Sequence, residues 1–351
     1  MLTNKQKKFT YILEMLDKDL VRRSILDLID KDGRAVAARL ADEFSISRQA
    51  ASKHVSALVQ EGIILASGDR RGREYRLATI DSAHRRYLRE GLREDVVTRE
   101  FFQPFLAGLP SNGQAIWQYG TSQMVNNAID HSGSEDIIVG VRKTALYMDA
   151  WVSDHGEGIF LKIQRALGLY DPRESILELA KGKLTTSPEN HSGEGIFFTS
   201  KVFDRFDIVS GRLHFLHDGK PFDLLFEHDE ASAGTTVAMR LSHSATRSTK
   251  EVMDQFAAPE EFTFAKTIVP VRLALYEGER LLSRSQAKRL SSRFERFAKV
   301  VLDFEGVDEI GQAFADELFR VFAAAHPSVS LAPINAQPDV AAMIERVDAG
   351  V

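Results

Sequence analysis

The sequence predicts a multidomain α+β and α/β chain, with three domains in a row over about residues 1–90, 91–250 and 251–351. Three observations carry this expectation. A chain of 351 residues is long enough for two or three domains of ordinary size. Its hydrophobic pattern changes twice: helices and a hairpin give way to alternating strands and helices, and a shorter alternation follows a polar stretch at 242–251. Its charge is divided as well. Residues 1–90 hold 18 Lys and Arg against 13 Asp and Glu (+5), the rest hold 27 against 37 (−10), and the total is −5. A basic leading segment on an acidic body marks the leading segment as the part that meets nucleic acid.

Composition excludes several chemistries. The chain has no cysteine, so disulfides, thiolate zinc sites, iron–sulfur clusters and cysteine nucleophiles are ruled out. No apolar run approaches the roughly 18 residues of a membrane span. The opening MLTNKQKKFT lacks the apolar core of a signal peptide. A cytoplasmic protein without membrane contact is expected.

The first domain reads as three helices and a hairpin. A helix over Asp19–Ile29 is ended by the DGR segment, and a second runs over Ala35–Phe44. Ser47 is placed to cap a third, whose Ala51, Val55, Leu58 and Val59 recur at helical spacing before Gly62 stops it. Ile63 to Leu77 then alternates around the basic turn GDRRGRE, as a two-stranded wing would. The charged stretch 80–110 reads as a connector helix, broken by Pro104, Gly108 and Pro110.

Strands are expected in the middle domain at Asp136–Val141, Ala145–Ser153, Phe206–Ser210, Arg212–His217, Phe222–Glu227 and Thr235–Leu241. The stretch Ile159 to Ser192, between two glycine motifs, reads as a mobile lid with some helix. The last segment, about 265–346, alternates strand and helix as a small α/β domain.

Four motifs of the middle domain carry chemistry. In QMVNNAIDHSG, Gln123, Asn127 and His131 fall four apart and share a helix face. An asparagine carbonyl is a hard ligand suited to Mg²⁺. In VSDHGEGI, Asp154 is a carboxylate at a strand end, and Gly156 and Gly158 allow a sharp turn close to a ligand. In HSGEGIFF, Gly193 and Gly195 precede a helix whose N-terminal N–H groups suit phosphate. In AGTTVAMRL, Gly234 and Thr235 open a late strand.

Together and in this order, over about residues 113–242, the motifs resemble the GHKL superfamily (gyrase, Hsp90, histidine kinase and MutL). The resemblance implies a Bergerat-type α/β sandwich, with a mixed sheet, helices on one face and ATP under a lid. It further implies that Asn127 holds Mg²⁺, that Asp154 reads the adenine amino group, and that Gly156 and Gly158 shape the adenine pocket. Gly193 and Gly195 would contact phosphates, Thr235 would support adenine, and His131 matches the position that ends the first motif. Lys183, in KGKLTTS, could reach a phosphate. The superfamily pattern has a glutamate where this chain has Gln123, the degenerate base position. An amide accepts no proton at neutral pH, so slow or absent hydrolysis is expected.

Residues 20–80 resemble a bacterial winged helix-turn-helix. That resemblance places Arg48, Gln49, Ser52 and Lys53 toward base edges of double-stranded DNA and Arg70, Arg71 and Arg73 at the wing tip on phosphates or in a minor groove. KVVLDFEGVDEIGQAFADELF resembles a STAS-like domain, the fold of anti-sigma-factor antagonists. Those antagonists are phosphorylated on a serine at the start of a helix. Here residues 310–314 read Ile-Gly-Gln-Ala-Phe, so a docking or sensing module is expected, with a possible protein partner.

The function expected is an ATP- and DNA-binding transcriptional regulator, acting as a homodimer. The alternative is an anti-sigma-type serine or histidine protein kinase acting on a partner. A histidine kinase needs a phosphoacceptor helix pair, which the stretch around His84 is too short to supply. An ATP-driven clamp needs a larger transducer domain than the C-terminal stretch provides.

Overall fold

The computed structural model describes residues 4–69, 72–184, 193–219, 223–257, 264–275 and 279–348, with the backbone alone over 4–17 and at 348. It is a mixed α/β chain with an N-terminal helical winged domain, a central antiparallel-sheet domain and a small C-terminal α/β domain. The chain forms two compact units. The first is Met1–Ala83 with Val141–Asp149 and Ser242–Ser244; the second is everything else. The central and C-terminal domains therefore share one unit.

The first unit holds α1 (Asn4–Lys31), α2 (Val36–Phe44), α3 (Arg48–Gln60), β1 (Ile64–Ser67) and β2 (Glu74–Leu77). Ser47 caps α3 by accepting the Ala50 N–H at 3.1 Å. Val36 and Leu40 of α2, Ala51, Val55 and Leu58 of α3 and Ile25 of α1 are buried together, as the i, i+4 spacing requires. Leu146 and Tyr147 complete this core. β1 and β2 pair antiparallel with Ile64 opposite Leu77 and Ser67 opposite Glu74. The first helix is much longer than the Asp19–Ile29 expected, because no breaker precedes Asp19.

Next comes β3 (Asp81–Leu88), where the sequence suggested a connector helix. DSAHRRYL lies mostly exposed at the edge of the sheet. Its charges carry no period-2 hydrophobic signal, and charged residues are how edge strands resist further pairing. α4 (Glu94–Val97), a π-helical stretch Thr98–Phe102 and α5 (Gln103–Leu106) supply the helix that was expected further along. The long α6 (Ser111–His131) follows Pro110, then β4 (Asp136–Lys143), β5 (Tyr147–Asp154), α7 (Ile159–Leu167), α8 (Glu174–Lys181), α9 (Gly195–Val202), β6 (Arg205–His217) and β7 (Leu224–Ser242).

The sheet order is β3-β4-β5-β7-β6. β6 and β7 are antiparallel, each continuous where two short strands were expected, with irregular register around Gly211. Hydrogen bonds from Thr235 to Asp154 and from His243 to Leu146 give β5 and β7 opposite directions. Those from Ile80 to Lys143 and from Arg89 to Glu135 do the same for β3 and β4. The mixed sheet that was expected is thus corrected to an antiparallel one. Its buried face carries Ile137, Val139, Ala150, Val152, Phe206, Ile208 and Met239. Trp117 of α6 meets Phe203 edge-on at 4.8 Å, an approach that leaves no room for a side chain at Gly120.

The lid was expected to be mobile. In its described part, α7 buries Phe160 and Ile163, and every residue of α8 is buried. Residues 185–192 lie outside the described ones. The polar stretch 242–251 is shorter than expected, since β7 reaches Ser242 and α10 (Thr249–Asp254) starts behind a capping box at Ser248 and Glu251. The C-terminal domain contains β8 (Lys266–Pro270), α11 (Arg284–Ser291), β9 (Lys299–Asp303), α12 (Gln312–Ala315), a π-helical stretch to Phe322, α13 (Ala323–Ala325), β10 (Ser330–Ile334) and α14 (Pro338–Asp348). Its three parallel strands stand in the order β10-β9-β8. No helix among the described residues is long and apolar enough to cross a membrane.

Candidate functional site

One cleft in the second unit gathers residues that are far apart in sequence. Gln123, Asn127 and His131 of α6, Asp154 at the end of β5, Gly158, Gly193, Gly195 and Thr235 all line it. Met124, Ala128, Val152, Ile163, Leu179 and Val237 make its apolar walls. The register of β5 against β7 creates the base of the cleft. Asp154 Oδ1 accepts N–H groups from Gly156 at 2.8 Å and from Thr235 at 3.3 Å, while Thr235 Oγ1 accepts the Ile159 N–H at 2.9 Å. Both hydrogen bonds to Asp154 fall on Oδ1, so Oδ2 keeps acceptor capacity. Burial pushes the Asp154 carboxyl above its ordinary range, against the pull of those two N–H donors.

Gly234 makes this geometry possible. It sits at φ 67°, and a Cβ there would collide with the Asp154 carbonyl. Gly234→Ala is expected to destabilise the protein by at least about 1–2 kcal/mol from left-handed strain alone, read as a lower denaturation midpoint with unchanged slope. An unchanged midpoint would show that this turn carries no such constraint.

At the other end, Gln123 packs so closely against Gly195 that a Cβ there would meet its Oε1. Gly195 is the first residue of α9, whose N-terminal N–H groups favour an anion. Gly193 accepts the Leu184 N–H at 3.1 Å. The Asn127 side-chain Nδ2 is buried with no hydrogen-bond partner. Lys162, which sequence reasoning passed over, lines the cleft and donates to the His131 carbonyl at 2.7 Å. A lysine on an amphipathic helix reads as solvated, so no local signal identifies it. Lys183 does not line the cleft; its ammonium donates to the Arg296 carbonyl at 2.9 Å and lies 5.0 Å from the Phe297 ring centroid. Chemically, one end offers a buried carboxylate between apolar walls, suited to a flat amine-bearing ring. The other offers amides and a helix N-terminus, suited to an anion.

The second candidate surface is on the first unit. α3 turns Ala51, Val55 and Leu58 inward and leaves Arg48, Gln49, Ser52 and Lys53 exposed on the opposite face. Arg73 is exposed beside the wing, and Arg76 of β2, not singled out from sequence, is exposed as well. Arg70 and Arg71 lie outside the described residues. In the C-terminal domain, Asp303 at the end of β9 is a structural group. It is buried and accepts the Asn335 amide at 2.9 Å and the Glu305 N–H at 3.0 Å. Glu309 pairs with Arg280 at 2.7 Å.

Residues 18–64 match the family model described as winged helix-turn-helix DNA-binding. Residues 286–341 match the model described as STAS-like domain of unknown function (DUF4325). No curated protein matches the chain. The chain thus carries an N-terminal winged helix-turn-helix domain of the DNA-binding kind and a C-terminal STAS-like domain.

Proposed function

We propose that the chain is a transcriptional regulator that binds double-stranded DNA through the winged helix and ATP through the central cleft. Nucleotide occupancy modulates the DNA-binding domain, and hydrolysis is slow or absent. The observation that supports ATP is convergence: four motifs spread from residue 123 to residue 235 meet in one cleft. The fit is chemical as well. A buried carboxylate with a spare acceptor oxygen suits an adenine amino group, and an amide nitrogen buried without a partner awaits one. Asn127 would hold Mg²⁺ through its carbonyl oxygen. Among the described residues no group of three His, Asp or Glu could hold a metal alone, so the nucleotide phosphates would supply the other ligands. The ion, when bound, neutralises phosphate charge.

β5 offers a route for coupling. Tyr147 at its start belongs to the core of the first unit, and Asp154 ends it in the cleft. Nucleotide drives such a switch only by binding one DNA-binding state better than the other. A homodimer would present two recognition helices to half-sites one helical turn apart. A protein partner would dock on the STAS-like domain.

The test has two arms. ATP with Mg²⁺ at 100 times its dissociation constant should stabilise the protein by about 2.7 kcal/mol. Fluorescence anisotropy of labelled DNA at fixed salt should then give different affinities with and without ATP and Mg²⁺. No thermal shift would remove the nucleotide; equal DNA affinities would remove the coupling.

A further inference from the structure

α8 forms one wall of the cleft through Leu179, and Leu184 just beyond it forms another part. This segment is fastened from the C-terminal side by a buried ionic cluster. Glu178 is 2% exposed, Lys181 0% and Arg293 9%. The Lys181 ammonium donates to Glu178 Oε1 at 2.5 Å and to the Ser292 carbonyl at 3.0 Å. The Arg293 guanidinium donates to Glu178 Oε2 at 2.7 Å, to the Gly182 carbonyl at 3.0 Å and to the Lys183 carbonyl at 2.5 Å. Arg293 itself stands at φ 67°, a left-handed conformation that a non-glycine residue holds only when its surroundings impose it.

Buried cations with this many main-chain partners do more than fill space. An ion pair in the interior is a poor source of net stability, since desolvation offsets the attraction. What the arrangement supplies is a fixed position. The carbonyls of residues 182 and 183 cannot move without costing the guanidinium two of its hydrogen bonds. Leu184 follows directly, and its N–H is bonded to Gly193 at the anion end. The path from the guanidinium to the glycine loop is therefore two residues, 183 and 184, and two hydrogen bonds.

We propose that Arg293 is a positioning residue for the nucleotide site: the C-terminal domain, through this guanidinium, sets the wall and the glycine loop that receive the phosphates. This inference rests on the reading of the cleft as an ATP site. It concerns the phosphate end, because Asp154 and Thr235 at the ring end are held by the sheet. Removing Arg293 leaves Glu178 paired with Lys181, a neutral pair, so the core loses a cation without leaving an unpaired charge. Burial pushes the Lys181 ammonium down to about 8 and the neighbouring guanidinium adds to that, so removing Arg293 relieves part of the depression and favours the charged lysine that pairs with Glu178.

The experiment compares the full-length wild type, Arg293→Met and Arg293→Lys by calorimetric titration with ATP plus Mg²⁺ and, separately, with adenosine. Arg293→Met should lose at least about tenfold in ATP affinity, the scale of one charge-assisted hydrogen bond, and keep adenosine affinity within about twofold. Arg293→Lys should recover part of the loss. Unchanged ATP affinity in a folded Arg293→Met protein overturns the proposal, and so does a parallel loss of ATP and adenosine. Should Arg293→Met fail to fold, Arg293→Lys alone decides by the same ATP-to-adenosine ratio. A wild type that binds neither ligand would sink the ATP reading itself, a distinct result.

Discussion

Asp154→Asn is expected to lower ATP affinity by about one to two orders of magnitude, the cost of losing a hydrogen bond to a charged group. Asparagine is nearly isosteric and its oxygen can still accept the Gly156 and Thr235 N–H groups, so the turn survives. The amide nitrogen then faces the ring amine as donor against donor. The loss therefore falls on the ligand. The pH dependence separates the same two effects. The Asp154 carboxyl titrates above its ordinary range because it is buried. Its folded pKa is raised, so its contribution to apo stability is most favourable at low pH and is lost as pH rises through that pKa. Nucleotide binding needs the carboxylate and runs the other way: affinity is full at neutral pH and falls as pH drops through the raised pKa. Asp154→Asn should abolish that acid limb. Differential scanning fluorimetry with and without ATP and Mg²⁺, from neutral pH down to the acid limit of folding, reads both. An Asp154→Asn protein with wild-type affinity would remove adenine from this end of the cleft.

The sequence made local signals legible and left long-range ones hidden, for physical reasons. Ser47 is recognisable as a cap because capping is a three-residue interaction. The face of α3 follows from residues four apart. Each glycine and acid motif was visible alone, but their meeting depends on the register that sets Thr235 beside Asp154, 81 residues away. The strand β3 was missed because an edge strand needs no hydrophobic alternation. α8 misled in the opposite sense. ESILELAK lies in the stretch read as a lid, yet all eight residues are buried, its two acids and its lysine included. Those charges are tolerable because Arg289 pairs with Glu174, Arg293 pairs with Glu178, and main-chain carbonyls more than 100 residues away receive the Lys181 ammonium. No window of sequence contains that information. Lys162 and Lys183 show the same limit for single residues: both are lysines near glycine motifs, and only the fold sends the first to the cleft and the second to the Arg296 carbonyl.

Gln123→Glu is expected to raise ATP hydrolysis by about 10²–10⁴-fold, the range general-base assistance supplies. The side chain already lines the cleft and rests against Gly195, so the change alters protonation chemistry with no change in size. The site can also hold the new charge. Gly195 begins α9, and the partial positive charge of a helix N-terminus stabilises a carboxylate by about 0.3–1 kcal/mol. Glu194 acts against it: burial already raises that acid above its ordinary range, and a second carboxylate nearby favours protonation of one of the two. The gained activity should therefore rise with pH through an apparent pKa above that of an ordinary glutamate, and Gln123→Glu combined with Glu194→Gln should move that limb to lower pH. Phosphate release under saturating ATP and Mg²⁺ measures it. If the wild type already turns over as fast as the variant, Gln123 does not limit hydrolysis, and a different group orients water in this cleft. If both stay inactive while ATP still binds, the cleft is a sensor of nucleotide rather than a latent hydrolase.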